Sequence, residues 1–176
     1  MFILSSCQNN TKEKKAPQNQ KIKSWNEGSV FNCDSAYQYI TKQVSFGPRV
    51  PNTLNHKKCG DWIVKKLISL GYDVKEQKGE VVAFNGAKLP VRNIISNINP
   101  NAKIKILLCA HWDTRPFADR DSLNINKPII GANDGASGVG VLLEIARVLI
   151  ADSMKIGVEI IFFDVEDYGT PNINSP

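Results

Sequence analysis

The chain has no apolar run of bilayer length, no CxxC spacing among its four cysteines, no internal repeat and no basic stripe along its body. A membrane-crossing helix needs about 20 consecutive apolar residues, and the opening Met1-Phe-Ile-Leu-Ser-Ser-Cys7 is far shorter. Without paired cysteines at close spacing, a structural zinc knuckle is excluded. The net charge of +5 does not describe a nucleic-acid groove, because five lysines and one glutamate within residues 1–23 account for +4 of it. The remaining +1 is spread over a body of mixed sign, so the basic N-terminal stretch reads as a solvated linker and nucleic acid is not expected as a partner. What the chain does have is 42% hydrophobic residues in 176, enough to bury one core.

Residues 1–30 read as a signal remnant and polar tether, and residues 31–176 as part of one catalytic domain. Leu4-Ser-Ser-Cys7 is similar to the cleavage box of a bacterial lipoprotein, with Cys7 as the lipidated residue and Gln8 to Lys23 as the tether, although the basic and apolar regions of a full signal do not precede it. That reading implies the cell envelope or periplasm, with secretion as the alternative. A disulfide between Cys33 and Cys59 stays open, and Cys109, inside an apolar run, reads as a small buried hydrophobe.

Helical patterning starts at Asp34, read as an N-cap, and runs to Val44; Phe46-Gly-Pro-Arg-Val-Pro51 breaks it. A second helix is expected from Asn55 to Leu70, ending at Gly71, with His56 in its first turn as a surface residue. Strand-like segments follow to Asn99, turned by Asn85-Gly86. Ile104–Cys109 and Val158–Val165 are short continuous apolar runs, which predict strands buried on both faces. Between them Ala136–Ala151 is amphipathic, and this order of strand, glycine turn, helix and strand predicts an α/β fold. The expected sheet is mixed and largely parallel, flanked by helices, and truncated, since a buried parallel strand ending near Val165 calls for further covering elements.

Functional residues of open α/β sheets collect where strands end. His111 and Asp113 follow the first buried run, Glu166 and Asp167 follow the second, and Asp134 sits in the glycine turn Gly131-Ala-Asn-Asp-Gly-Ala-Ser-Gly138. Imidazole and carboxylate donors suit a borderline cation such as zinc, and of two adjacent carboxylates one can bind the ion while its neighbour moves protons. Taken singly, each of these residues has an ordinary explanation as a cap, a loop acid or a core histidine; their convergence at three strand ends favours a site.

Ala110-His-Trp-Asp-Thr-Arg-Pro116, the glycine turn through Val139, and Phe162-Phe-Asp-Val-Glu-Asp-Tyr-Gly169 resemble the bacterial glutaminyl cyclases, a branch of a larger family of zinc aminopeptidases, over residues 34–170. The resemblance implies that Asp134 and Asp167 bind one zinc ion and that Glu166 is the general acid/base. In the aminopeptidase branch the residue matching His111 binds a second ion; in the cyclases it does not. Asp113 is implied as support behind the ligands, with Trp112 and Arg115 shaping the substrate pocket. The Glu166-Asp167 pair departs from the Glu-Glu common in the wider family. The implied partners are peptides or proteins with a free N-terminus. The implied reaction is cyclisation of N-terminal glutamine to pyroglutamate; the alternatives are aminopeptidase hydrolysis and a lipid-anchored binding protein without catalysis. The family's remaining zinc ligand is a histidine further downstream, whereas this chain holds only His56 and His111, so the isolated stretch is expected to be inactive.

Overall fold

The computed structural model describes residues 30–150 and 155–171; Cys7 and its polar tether lie outside them. The element order is α1 (Cys33–Val44), α2 (Leu54–Ser69), β1 (Val74–Val82), β2 (Lys88–Ile98), β3 (Lys105–His111), α3 (Ala136–Ile150) and β4 (Gly157–Phe163). The first helix is capped by Asn32, whose side chain accepts the Ser35 N–H, so the cap lies two residues before the expected Asp34. Thr53 caps α2 in the same way. That helix ends as expected, with the Tyr72 N–H reaching back to the Leu67 carbonyl and the Gly71 N–H to Ile68.

The sheet order is β1-β2-β4-β3. It is mixed, as expected, but parallel pairing is confined to β3 and β4 among the described strands; β1 with β2 and β2 with β4 are antiparallel. The hairpin at Asn85-Gly86 makes β1 and β2 antiparallel, because a tight turn joins only antiparallel neighbours. Helices α2 and α3 supply Cys59, Ile63, Leu67, Val139, Leu143 and Ala146 to the core, packed with Ile94 of β2 and Val158, Ile160 and Phe162 of β4. Burial of β4 alternates, so one face of the strand is fully covered and the other only in part. The expectation of strands buried on both faces therefore fails: Ile104 and Leu107 are 67% and 57% exposed, and Cys109 is exposed. A continuous apolar run does not reveal which of its faces is packed. Cys33 and Cys59 are both free thiols, the former exposed and the latter buried, and no disulfide joins them.

Two topological consequences set up the site. Because β3 and β4 run parallel with His111 opposite Phe163, the loops after both strands leave the same end of the sheet. Because β2 runs antiparallel to β4, with Ile94 opposite Phe162, the β1–β2 turn projects beyond that same end.

Candidate active site

Strand β3 delivers His111 as its last residue, and α3 begins directly behind the glycine turn that carries Asp134. His111 Nε2 lies 2.8 Å from Asp134 Oδ1. This approach depends on Gly135: a Cβ there would stand 2.5 Å from the His111 carbonyl and 2.8 Å from its ring. Gly131 is constrained twice over, by φ of +61° and by the proximity of Thr114 and Arg49.

The carboxylate of Asp113, wholly buried, accepts the backbone N–H of Glu166 at 3.2 Å and that of Asp167 at 3.1 Å. It thereby fixes the second loop to the first. Asp167 is held from the other side by Arg115, whose Nη1 lies 3.6 Å from Asp167 Oδ1 and donates to its carbonyl at 3.3 Å. The same guanidinium is paired with Asp119 at 2.6 Å. Just before the acidic pair, Val165 has φ of +61°, a left-handed conformation that a β-branched residue adopts only under constraint. The constraint is Asp164, whose carboxylate lies 2.7 Å from His56 Nε2 and accepts the Arg92 N–H at 2.8 Å and the Val165 N–H at 2.8 Å.

Asp134, Asp167, Arg115 and Phe117 line one crevice of about 720 Å³. Glu166 keeps an exposed side chain, its Oε2 3.9 Å from His111 Nδ1. Burial, then the nearby Asp134 and Asp113 carboxylates, push the Asp167 carboxyl up to about 6. His111 is raised to about 9, chiefly by Asp113 with Asp134 and Glu166 adding, against the opposing effect of burial. Its Nδ1 stands 3.5 Å from Asp113 Oδ1, an ion-pair contact too long to count as a made hydrogen bond.

These observations test the donor set for a cation. Asp167 Oδ2 is buried without a hydrogen-bond partner, and Asp134 presents an exposed carboxylate to the same crevice. Oxygen donors with an adjacent imidazole suit a hard or borderline divalent ion. Among the described residues, however, no three such side chains close on one point. The carboxylates fit a metal as part of a ligand set rather than as a complete one.

The site residues Asp134, Asp167, Glu166, His111, Asp113 and Arg115 are thus neighbours at one end of the sheet. Trp112 is the exception and a correction: it is wholly buried, stacked on His56 at 4.0 Å between ring centroids, with its indole N–H directed to the Arg92 carbonyl. It sits just past the end of β3, in a stretch where Asp113 and Thr114 are buried as well. His56 likewise is a buried partner of Asp164, not a surface residue. The sequence reading also passed over Arg49. Its guanidinium, fully buried, donates to the carbonyls of Trp112, Ile130 and Gly131 at 3.1, 2.9 and 2.7 Å, binding the loop after β3 to the glycine turn. Its position in a Gly-Pro-rich breaker segment was the available signal, since such loops are surface features unless something buries them.

A mixed sheet with acidic residues and a histidine gathered at the C-terminal ends of its parallel pair is the layout of a metal-dependent exopeptidase fold. Residues 93–171 match the model of peptidase family M28. It is similar to glutaminyl cyclase of Tannerella forsythia, at 50% identity and a TM-score of 0.80, covering 84% of this chain and 51% of that one. A Zn-dependent exopeptidase from Parabacteroides distasonis is 48% identical with a TM-score of 0.80, covering 85% and 52%. Among curated proteins, glutaminyl-peptide cyclotransferase of Drosophila melanogaster is 32% identical over 125 residues, 68% of this chain and 33% of that protein. The chain spans about half the length of these solved structures and a third of that curated relative.

Proposed function

We propose that the protein is a zinc-dependent glutaminyl-peptide cyclotransferase, which converts an N-terminal glutamine to pyroglutamate and releases ammonia. The observation that carries this is that Asp134 and Asp167, the latter preceded directly by Glu166, line one crevice in a chain about half identical to bacterial glutaminyl cyclases. Asp134 and Asp167 would hold one zinc ion, and its chemistry when bound is to polarise the γ-amide carbonyl of glutamine. Glu166 accepts a proton from the peptide's α-amine as that nitrogen attacks the carbonyl carbon (Cδ) of the side-chain amide, and returns it to the departing amide nitrogen, so that the Cδ–N bond breaks and ammonia leaves neutral. The nucleophile is tethered to its target, so positioning supplies much of the rate. Asp113 holds both acidic residues by their backbone, Asp167 lining the crevice and Glu166 beside His111.

His111 engages Asp134 through Nε2, which supports a role in orienting that carboxylate and a single ion. The second reading is a two-ion aminopeptidase with His111 as a ligand, favoured by the likeness to a Zn-dependent exopeptidase. Substrates are peptides or proteins with a free N-terminus. Lipid attachment at Cys7 would place the enzyme in the cell envelope or periplasm; loss of membrane association in a Cys7→Ala variant tests that location. Mass spectrometry of a Gln-initiated peptide incubated with the gene product and zinc tests the reaction. Loss of one ammonia is expected; loss of the whole glutamine residue would establish the aminopeptidase, and an unchanged peptide would leave a binding protein.

A further inference from the structure

His56, on the first turn of α2, touches both loops that carry the site. Its ring stacks on Trp112 at 4.0 Å between centroids and 14° between planes, and its Nε2 lies 2.7 Å from Asp164 Oδ1. Trp112 follows His111 directly, and Asp164 stands two residues before Glu166. These contacts close a circuit. The indole N–H of Trp112 is directed to the Arg92 carbonyl, the Arg92 N–H donates to Asp164 Oδ2, and Asp164 Oδ1 meets His56. The backbone of His56 is fixed as well, because Thr53 Oγ1 accepts its N–H at 3.3 Å. Trp112, His56 and Asp164 are all buried. His56 does not line the crevice of Asp134 and Asp167; it borders a separate one of about 700 Å³ with Thr53, Asp61 and Arg92. Any effect of this imidazole on the reaction therefore passes through other residues.

We propose that His56 is a positioning residue for Glu166: it holds the Asp164 carboxylate against the Val165 N–H and so maintains the left-handed turn that aims the acid/base. The inference rests on the cyclotransferase reading, in which Glu166 moves the proton. A carboxylate oxygen accepts, so the ring nitrogen facing it serves as its donor. Asp164 Oδ1 takes this contact together with the Val165 N–H at 2.8 Å. Val165, at φ of +61°, relaxes toward an ordinary backbone conformation once that oxygen is free to move. Glu166 comes next, with an exposed side chain whose direction follows the backbone. Asp113 anchors the N–H groups of Glu166 and Asp167, and His56 anchors the turn just before them.

The test measures ammonia release from a Gln-initiated peptide by the full-length gene product with zinc. His56→Phe keeps a flat ring against Trp112 and removes the donor; His56→Gln keeps an amide donor and removes the ring. His56→Phe is expected to lower kcat about 10- to 100-fold with KM within about twofold, because a misdirected proton-transfer group is felt in the transition state alone. His56→Gln is expected to recover most of that loss. Asp164→Asn sets a donor against a donor at one of the contacts and is expected to reproduce the kcat loss. The double variant His56→Phe/Asp164→Asn is expected to lose no more than the larger single loss, since the two side chains act as one unit. Hydrogen exchange of the backbone over residues 164–167 is expected to quicken in His56→Phe while α3 stays protected. A kcat unchanged in a folded His56→Phe or Asp164→Asn protein, or losses that add in the double variant, would overturn the positioning role and leave the cyclotransferase standing. Absence of ammonia release from the parent would overturn the cyclotransferase itself, and the role of His56 with it.

Discussion

Asp113 accepts the backbone N–H of Asp167 at 3.1 Å with one carboxylate oxygen, while its other oxygen takes the N–H of Glu166. A residue on the loop after β3 thus sets the direction of the acidic pair after β4. Asp113→Asn keeps one acceptor and turns an amide NH2 toward the second N–H, so one of the two bonds is lost and a donor faces a donor. Zinc affinity is expected to fall by about 10- to 100-fold, as for other partners standing behind metal ligands. Competition against a chromogenic chelator measures it; an unchanged affinity would mean that Asp113 only supports the fold.

Arg49 donates to three carbonyls from a fully buried position. Burial lowers its pKa, with Cys59 and Asp113 acting in the opposite direction. Arg49→Met removes the charge and leaves the carbonyls of Trp112, Ile130 and Gly131 without that donor. A loss of about 2–5 kcal/mol is expected in urea unfolding, together with faster proteolysis of the loop before Gly131. A loss below about 1 kcal/mol would show that water replaces the guanidinium at little cost.

Val165 is held at φ of +61°, next to Glu166. Strain of this kind is worth about 1–3 kcal/mol, and asparagine tolerates the left-handed region far better than valine. Val165→Asn is expected to raise the melting temperature. A lower melting temperature would mean that the apolar burial of this half-buried valine outweighs its backbone strain.

Cys59 is driven up to about 12 by burial, with Arg49 opposing. Its thiol form is therefore favoured by folding: the associated stability is complete below the ordinary thiol range near 9 and is lost as pH rises from there through about 12. A thiol reagent at pH 8 is expected to label the exposed Cys33 and Cys109 rapidly and Cys59 only on unfolding. Peptide mapping after timed labelling checks this, and prompt labelling of Cys59 would contradict the tight packing of α2 on the core.

The element order, the hairpin at Asn85-Gly86 and the helix stop before Gly71 were legible in the sequence, because each depends on residues a few positions apart. The acidic and histidine candidates were legible for a related reason: a polar residue directly after an apolar strand falls at the sheet end wherever the strand packs. The same local signals misassigned Trp112 and His56. Between His111 and Asp113 the tryptophan reads as pocket lining, yet just past the end of β3 it is buried in the core against His56.

By itself the sequence determined which residues can stand at the ends of β3 and β4 and that a glycine turn brings Asp134 to the head of α3. Only the tertiary structure decided what holds them there. His56 and Asp164 are 108 residues apart in the chain, Arg49 and Gly131 are 82 apart, and Asp113 and Asp167 are 54 apart. Periodicity, caps and turns report on neighbours in sequence, whereas these partners are selected by burial and pairing once the sheet has placed its strands side by side.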